Sequence, residues 1–250
     1  MTPNSDAAVI TEARAPRRED ERLVELEARY DGLEGVDLLA PLIGGEFAGR
    51  IALVSSFGTE SAVLVALAAE ADPSIPIIFL DTGKLFGETL RYRDELTKLL
   101  GLRDVRTIEP AANDLAAGDP DGVLWQSNPD ACCHLRKALP LQRALDGFEA
   151  WITGRKRFQS STRKRLATFE DDAGRIKVNP LAGWDRNRIE AEFERRGLPR
   201  HPLEADGFLS IGCLPCTDRV APGGDARSGR WAGRAKTECG IHSYGNGLGI

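Results

Sequence analysis

The 250-residue chain carries 33 basic and 38 acidic residues, a net charge of −5, which argues against nucleic acid as its main partner and leaves local basic patches for small anions. With 42% hydrophobic and 28% charged residues it has the composition of a globular protein, long enough for one α/β domain with appendages. The longest apolar run, Ala62–Ala69, is too short to cross a bilayer, and Met1–Asp20 has no apolar signal core; no membrane partner is expected and the cytoplasm is the expected location.

In chain order, residues 1–18 read as a disordered tail. Leu23, Leu26 and Tyr30 share one face of a helix over Glu19–Tyr30, and a second short helix over Asp37–Phe47 is interrupted at Pro41 and Gly44-Gly45. Ile51–Ser55 is apolar throughout, as a strand covered on both faces must be. A helix follows from Ala62 to about Ala71, then a strand over Ile77–Leu80, a helix over Glu88–Leu100 closed by Gly101, and a strand over Val105–Ile108. Trp151–Thr153 and Ile176–Val178 supply a fourth and a fifth strand. Strands alternating with helices predict an α/β fold: a Rossmann-like, parallel, five-stranded sheet with helices on both faces.

Ligands of such sheets lie beyond the carboxyl ends of the strands. Small and polar residues recur there: Ser55, Ser56, Phe57, Gly58 and Thr59, then Asp81, Thr82 and Gly83, then Thr153, Gly154 and Arg155. Gly58 permits a tight turn, and the following helix offers free N–H groups to a phosphate, or Ser61 simply caps it. The lysine and spacing of a Walker loop are missing. From Arg155 to Arg165, six of eleven positions are basic, which reads either as a solvated face or, given its place after a strand, as an anion site. Arg219, Arg227, Arg230 and Arg234 form a second basic group among glycines.

The five cysteines are Cys132-Cys133, Cys213-Leu-Pro-Cys216 and the isolated Cys239. Neighbouring thiols rarely bridge each other, whereas four thiolates from two segments suit a tetrahedral metal or an iron–sulfur cubane. Cys239 is left over for chemistry, with Lys236 and His242 three residues to either side favouring its thiolate and Glu238 opposing it. His134 and His201 read as structural, His134 also as a neighbour of the cysteine site.

With the Cys-Cys and Cys-x-x-Cys pairs, Ser56-Phe-Gly-Thr-Glu-Ser61, Asp81-Thr-Gly-Lys-Leu-Phe-Gly-Glu88-Thr, Gly154-Arg-x-x-x-Gln159-Ser160 and Lys236-Thr-Glu-Cys-Gly-Ile-His242 in view, the chain resembles the assimilatory sulfonucleotide reductases over residues 45–245. Within them it is similar to the iron–sulfur branch, the thioredoxin-dependent adenylylsulfate (APS) reductases; Gly87 stands where relatives often have proline. The resemblance implies an adenine nucleotide alpha hydrolase-like fold and one [4Fe–4S] cluster per subunit on Cys132, Cys133, Cys213 and Cys216. It implies Cys239 as nucleophile beside His242, Lys137 between cluster and substrate, and Arg227 and Arg230 on the substrate. Gln159 falls in the likened sulfonucleotide segment, and Arg163 in the basic run that continues it. Residues 1–45 are then a tail and packed helices, 46–225 the sulfonucleotide-binding domain with the cluster, and 226–250 a mobile segment carrying Cys239, with Gly240, Gly245, Gly247 and Gly249 as its hinges. A homo-oligomer is compatible with this organisation.

APS joins sulfate to AMP through a mixed anhydride. A thiolate attacking that sulfur expels AMP and leaves an S-sulfonate on Cys239. With four thiols occupied, an external dithiol, thioredoxin in the family, must release sulfite. Nothing in this two-electron chemistry requires a redox change at the cluster, which can instead fix Lys137 and shape the electrostatics. The competing readings are reduction of 3′-phosphoadenylyl sulfate (PAPS), a nucleotide-binding pyrophosphatase with a structural zinc, and a disulfide oxidoreductase or iron–sulfur sensor using Cys213 and Cys216.

Overall fold

A computed structural model describes residues 18–234, 236 and 238–242. The disorder expected before Arg18 and the hinges expected at Gly245, Gly247 and Gly249 lie outside the described residues. Helix α1 (Arg18–Arg29) is followed by α2 (Gly35–Pro41). Pro41, which has no N–H to donate, ends α2 but does not break the path, which widens into a π turn over Leu42–Glu46. Then come β1 (Ile51–Val54), α3 (Ser61–Ala71), β2 (Ile77–Leu80), α4 (Gly87–Leu99) and β3 (Val105–Ile108). Three short helices follow, α5 (Ala112–Gly118), α6 (Leu124–Ser127) and α7 (Pro129–Cys133), the last running through a π turn (His134–Ala138) into α8 (Leu139–Ala144). Strands β4 (Ala150–Ile152), β5 (Phe169–Asp172) and β6 (Arg175–Val178) and helix α9 (Arg186–Arg196) complete the regular elements.

The sheet has six strands in the order β3-β2-β1-β4-β6-β5. Five are parallel, in registers such as Leu53↔Ile77 and Ile152↔Val178, and β5 pairs antiparallel with β6. The expected five-stranded parallel sheet is therefore corrected by one antiparallel edge strand. Phe169-Glu-Asp-Asp172 carries three carboxylates and has no apolar alternation, so nothing in it reads as a strand. It pairs because Ala173 and Gly174, at φ +55° and +86°, make the tight hairpin turn to β6. Two of its carboxylates, Glu170 and Asp172, are then used inward, as described below.

Residues Ala62–Ala68 of α3 are buried all round, between the sheet and α2 and α9. The opposite face is covered by α8, where Leu141 and Leu145 meet Ala52, Ile78 and Trp151. The strand order reverses between β1 and β4, so a crevice opens there at their carboxyl ends. Among the described residues no helix is long and apolar enough to cross a membrane.

Candidate active site

A cavity of about 350 Å³ fills this crevice. Its β1 wall is the loop Ser55–Ser61. The Ser55 hydroxyl accepts the Phe57 N–H at 3.2 Å, the Gly58 N–H donates to the Ser61 hydroxyl at 3.0 Å, and the Thr59 hydroxyl donates to the Leu209 carbonyl at 3.0 Å. Phe57 holds a left-handed φ of +47°, unusual for a residue with a Cβ, and its ring anchors edge-on against Phe79 in the core. Ser55, Ser56, Gly58 and Thr59 line the cavity; Phe57 lies beneath it. Asp81 and Thr82 are also off its wall. Asp81 accepts the Gly83 N–H at 2.9 Å, and the Thr82 hydroxyl lies 3.2 Å from Cys213 Sγ. The β2 end therefore serves the cysteines rather than the cavity.

The β4 wall is the basic segment. The run is divided: Arg155, Lys156 and Arg163 are buried, while Arg157, Lys164 and Arg165 are exposed. Lys156 Nζ donates to Glu60 at 2.8 Å and to the Gly154 carbonyl at 3.0 Å, while Gln159 donates to the same Glu60 oxygen at 2.7 Å. Burial pulls the Lys156 ammonium down, and Glu60 partly offsets it. Arg155 pairs with Glu170 of β5, which also accepts from Asn179 at 2.7 Å; the Asn179 amide oxygen in turn accepts the Thr153 hydroxyl at 2.6 Å. Sequence reasoning missed Glu60, Glu170 and Asn179, whose partners lie 9 to 99 positions away in the chain.

The third wall is the C-terminal segment. Gly240–His242 forms one turn, with the His242 N–H on the Cys239 carbonyl at 3.0 Å. The His242 ring lies parallel to Trp151, centroids 6.3 Å apart. Trp151 is itself fixed: its indole N–H donates to Asp172 at 2.9 Å, and Lys177, also bonded to Asp172 at 2.9 Å, sits 4.7 Å over the ring. Burial, then the cations Arg155, Arg163, Lys177 and Arg227, keep the His242 imidazole neutral, and its buried Nδ1 has no partner. Cys239 and Cys133 share a thiol–thiol hydrogen bond. That bond lowers Cys239 well below an ordinary thiol; burial opposes it, and Lys137 and Arg230 assist. Burial alone would depress the Lys137 ammonium, but the thiols of Cys213, Cys239 and Cys133 outweigh it and hold the charge.

Beside Lys137 is a cleft lined by all four remaining cysteines. Asn128 caps α7 by accepting the Ala131 N–H at 3.0 Å, and Pro129 begins it. Successive residues on the helix diverge, so the adjacent thiols separate: Cys132 faces Cys213 and Cys216, and Cys133 faces Cys239 and Lys137. Burial raises Cys132 and Cys216. Two elements join the cysteine segments. Arg136, one turn after Cys132, donates to the buried Asp119 carboxylate at 2.6 and 3.0 Å and to the Thr82 carbonyl at 2.9 Å, and Thr82 touches Cys213. Arg230 donates to the Ile211 carbonyl at 3.2 Å, and a Cβ on Gly212 would come within 2.2 Å of its guanidinium, so a larger residue there would displace Arg230 from this seat.

The donor set fits a polynuclear centre. Lys84, Arg136, Lys137 and Arg230 line the cleft and offset thiolate charge, and the buried Trp231 indole N–H in its wall lacks a partner. Among the described residues no three His, Cys, Asp or Glu side chains are arranged to hold a single ion.

Residues 50–219 match the phosphoadenosine phosphosulfate reductase domain. An adenosine 5′-phosphosulfate reductase of Mesorhizobium japonicum is 52% identical over 220 residues, covering 88% of this chain and 87% of the relative. A protein of the same name from Chelativorans sp. is 48% identical over 224 residues, 89% and 91% of the two chains. The crystal structure of a phosphoadenylyl-sulfate reductase from Candida auris, in a phosphate complex, shares the fold at a TM-score of 0.66 with 24% identity, over 82% of this chain and 98% of that one.

Proposed function

The chain belongs to the phosphoadenosine phosphosulfate reductase domain family, and on that premise we propose that it reduces APS to sulfite and AMP in sulfate assimilation, drawing electrons from an external dithiol protein of the thioredoxin class. The observation that carries the reading is Cys239. A thiol flanked by Lys137 and Arg230 lines a cavity whose other walls are the serine loop after β1 and arginines. A nucleophile at one end of an anion-binding crevice suits transfer of a sulfuryl group from a nucleotide.

In this reading the loop Ser55–Thr59 and Gly154 approach the nucleotide with their backbone, and Arg155 and Arg230 offset the charge of its phosphosulfate. The Cys239 thiolate attacks the sulfur. Its electron pair forms the S–S bond, the bond from sulfur to the bridging oxygen breaks, and AMP leaves with that pair. Arg230 and Lys137 stabilise the oxygens of the group in flight. A thiolate of the dithiol protein then attacks Cys239 Sγ; sulfite departs with the S–S electrons and a mixed disulfide forms. The second thiol of that protein frees Cys239 and becomes oxidised, so substrate sulfur gains the two electrons the dithiol loses. Cys239 must leave its seat on Cys133 for the second half, which makes residues from 226 onward the moving part.

Cys132, Cys133, Cys213 and Cys216 would hold a [4Fe–4S] cluster, one per subunit; the four thiols, the surrounding cations and the orphaned Trp231 N–H support it. When bound, it supplies bonds that tie α7 to the Cys213–Cys216 turn and a fixed charge beside Lys137.

Mass spectrometry after incubation with APS and no reductant tests the reading. A sulfonate on Cys239 is expected, with PAPS giving far less. An unmodified Cys239, or a sulfonate on another residue, rejects it.

A further inference from the structure

Glu238, the residue before the nucleophile, has both carboxylate oxygens engaged. Oε1 accepts Arg163 Nε at 2.8 Å, the Thr162 hydroxyl at 3.2 Å and the Ser160 hydroxyl at 3.3 Å. Oε2 accepts Arg163 Nη2 at 2.6 Å and Arg227 Nη2 at 3.3 Å. The Arg163 contact is the forked, two-bond pairing in which guanidinium and carboxylate match in shape as well as charge. It is also shielded: the Arg163 side chain is 8% exposed and Glu238 20%. Burial would raise the Glu238 carboxyl, but Arg163 outweighs it and keeps the group ionised.

The seat is built from two distant stretches of chain. Ser160, Thr162 and Arg163 belong to the tight turns after β4, whose own start is tied down by Lys156 and Glu60. Glu238 belongs to the segment that must move. Consecutive Cα atoms are about 3.8 Å apart, so a fixed Glu238 fixes the backbone of Cys239. The other attachments of that segment are Lys236 on Asp130, whose carboxylate is 79% exposed, His242 on Trp151 and Cys239 beside Cys133, so the Glu238 clasp is the more shielded of its two ion pairs to the frame. Glu238 takes the Nε–Nη2 edge of Arg163, and Nη1 donates to Gln159 Oε1 at 2.5 Å, so all three guanidinium nitrogens already have protein partners.

We propose that Glu238 and Arg163 form an ionic clasp that positions Cys239 over the cavity, so that Arg163 acts through Glu238 on the nucleophile-bearing segment rather than on the nucleotide. This rests on Cys239 being the nucleophile. Both are positioning residues. Opening toward the dithiol protein breaks the clasp, and closing restores it.

A double-mutant cycle on the cluster-loaded protein tests it, with Arg163→Gln, Glu238→Gln and the double variant. Three quantities are read: the single-turnover rate of Cys239 sulfonation, the KM for APS, and hydrogen exchange of the peptide spanning residues 236–242. Each single change should slow sulfonation about 10- to 100-fold, leave KM within about threefold, and speed exchange at least about tenfold. The double variant should be no worse than either single one, as expected of two residues acting as one unit. Additive losses, with Arg163→Gln raising KM and leaving exchange unchanged, overturn the clasp and return Arg163 to the nucleotide. Where Arg163→Gln does not fold, Arg163→Lys decides: exchange intermediate between wild type and Glu238→Gln supports the clasp, and wild-type exchange rejects it. Exchange needs no turnover. A wild-type chain that forms no sulfonate with APS therefore defeats the functional reading alone, and the exchange cycle still decides whether the clasp holds the segment.

Discussion

The two ends of the crevice are built on opposite principles. At the strand ends, polar groups satisfy one another inside the scaffold: Lys156 with Glu60 and Gln159, Arg155 with Glu170, Thr153 with Asn179. At the sulfur end, buried polar atoms stand without partners, namely Trp231 Nε1, Arg230 Nε and His242 Nδ1, and thiols crowd against a buried lysine. An unpaired buried polar group costs about 1–3 kcal/mol. The first end is a finished frame, and the second is completed by what it binds. The clasp between Glu238 and Arg163 is where the frame takes hold of the moving part.

The comparison is tested most severely at Cys239. Cys239→Ser should reduce sulfite release by at least about 10⁴-fold, over 5 kcal/mol of barrier, while iron and labile sulfide content stay at wild-type levels. Loss of iron in that variant would mean the nucleophile also belongs to the cysteine centre. Next is Asp119→Ala. Removing one partner of the buried Arg136 pair should destabilise the chain by about 3–5 kcal/mol in denaturant melts and lower iron retention, because Arg136 links Cys132 to Thr82 and so to Cys213. An unchanged melting midpoint would show that the two cysteine segments are held by something else.

His201 sharpens the contrast from the frame side. Its buried ring accepts the Leu203 N–H at Nδ1, 3.2 Å, and lies 3.1 Å from the Thr89 hydroxyl at Nε2, and burial pulls its pKa down to about 4. The native ring is therefore neutral. An unfolded histidine takes up its proton near pH 6.5, the native one only near pH 4, so between these values the unfolded state binds more protons and stability falls as pH falls. About 3 kcal/mol should be lost from pH 7 to pH 4, a loss absent from His201→Gln when both are melted across that range. The smallest effect is expected from Thr82→Val. Losing the 3.2 Å contact to Cys213 should cost about 1 kcal/mol and shift the absorption of the loaded centre, with APS turnover nearly intact.

The frame was largely legible in the residue order. The apolar runs of β1 and β2 and the helical spacing of α4 place those elements within a residue or two of where they lie, since burial on both faces admits little else. The polar edge strand β5 was not legible, because its carboxylates are matched to Trp151, Lys177 and Asn179 across the sheet and show no periodicity of their own. The site divides in the same way. Thirteen of the expected site residues line the cavity, from Ser55 to His242, whereas of those chosen by position after a strand Phe57 turns into the core, Asp81 caps the Gly83 N–H and Thr82 turns toward Cys213.

Local order by itself determined the elements from α1 to β3 together with β4 and β6, the ligand edge of the sheet and the sorting of five cysteines into two pairs and one alone, because these depend on spacing and side-chain type. Only the tertiary structure decided which thiol faces which, that Cys133 rather than a base lies against the lone thiol, and that Glu238 sits in the fork of Arg163. Those pairings join residues 75 to 106 positions apart, and a charge has no way to show along the chain which distant opposite charge it will meet once both lose water.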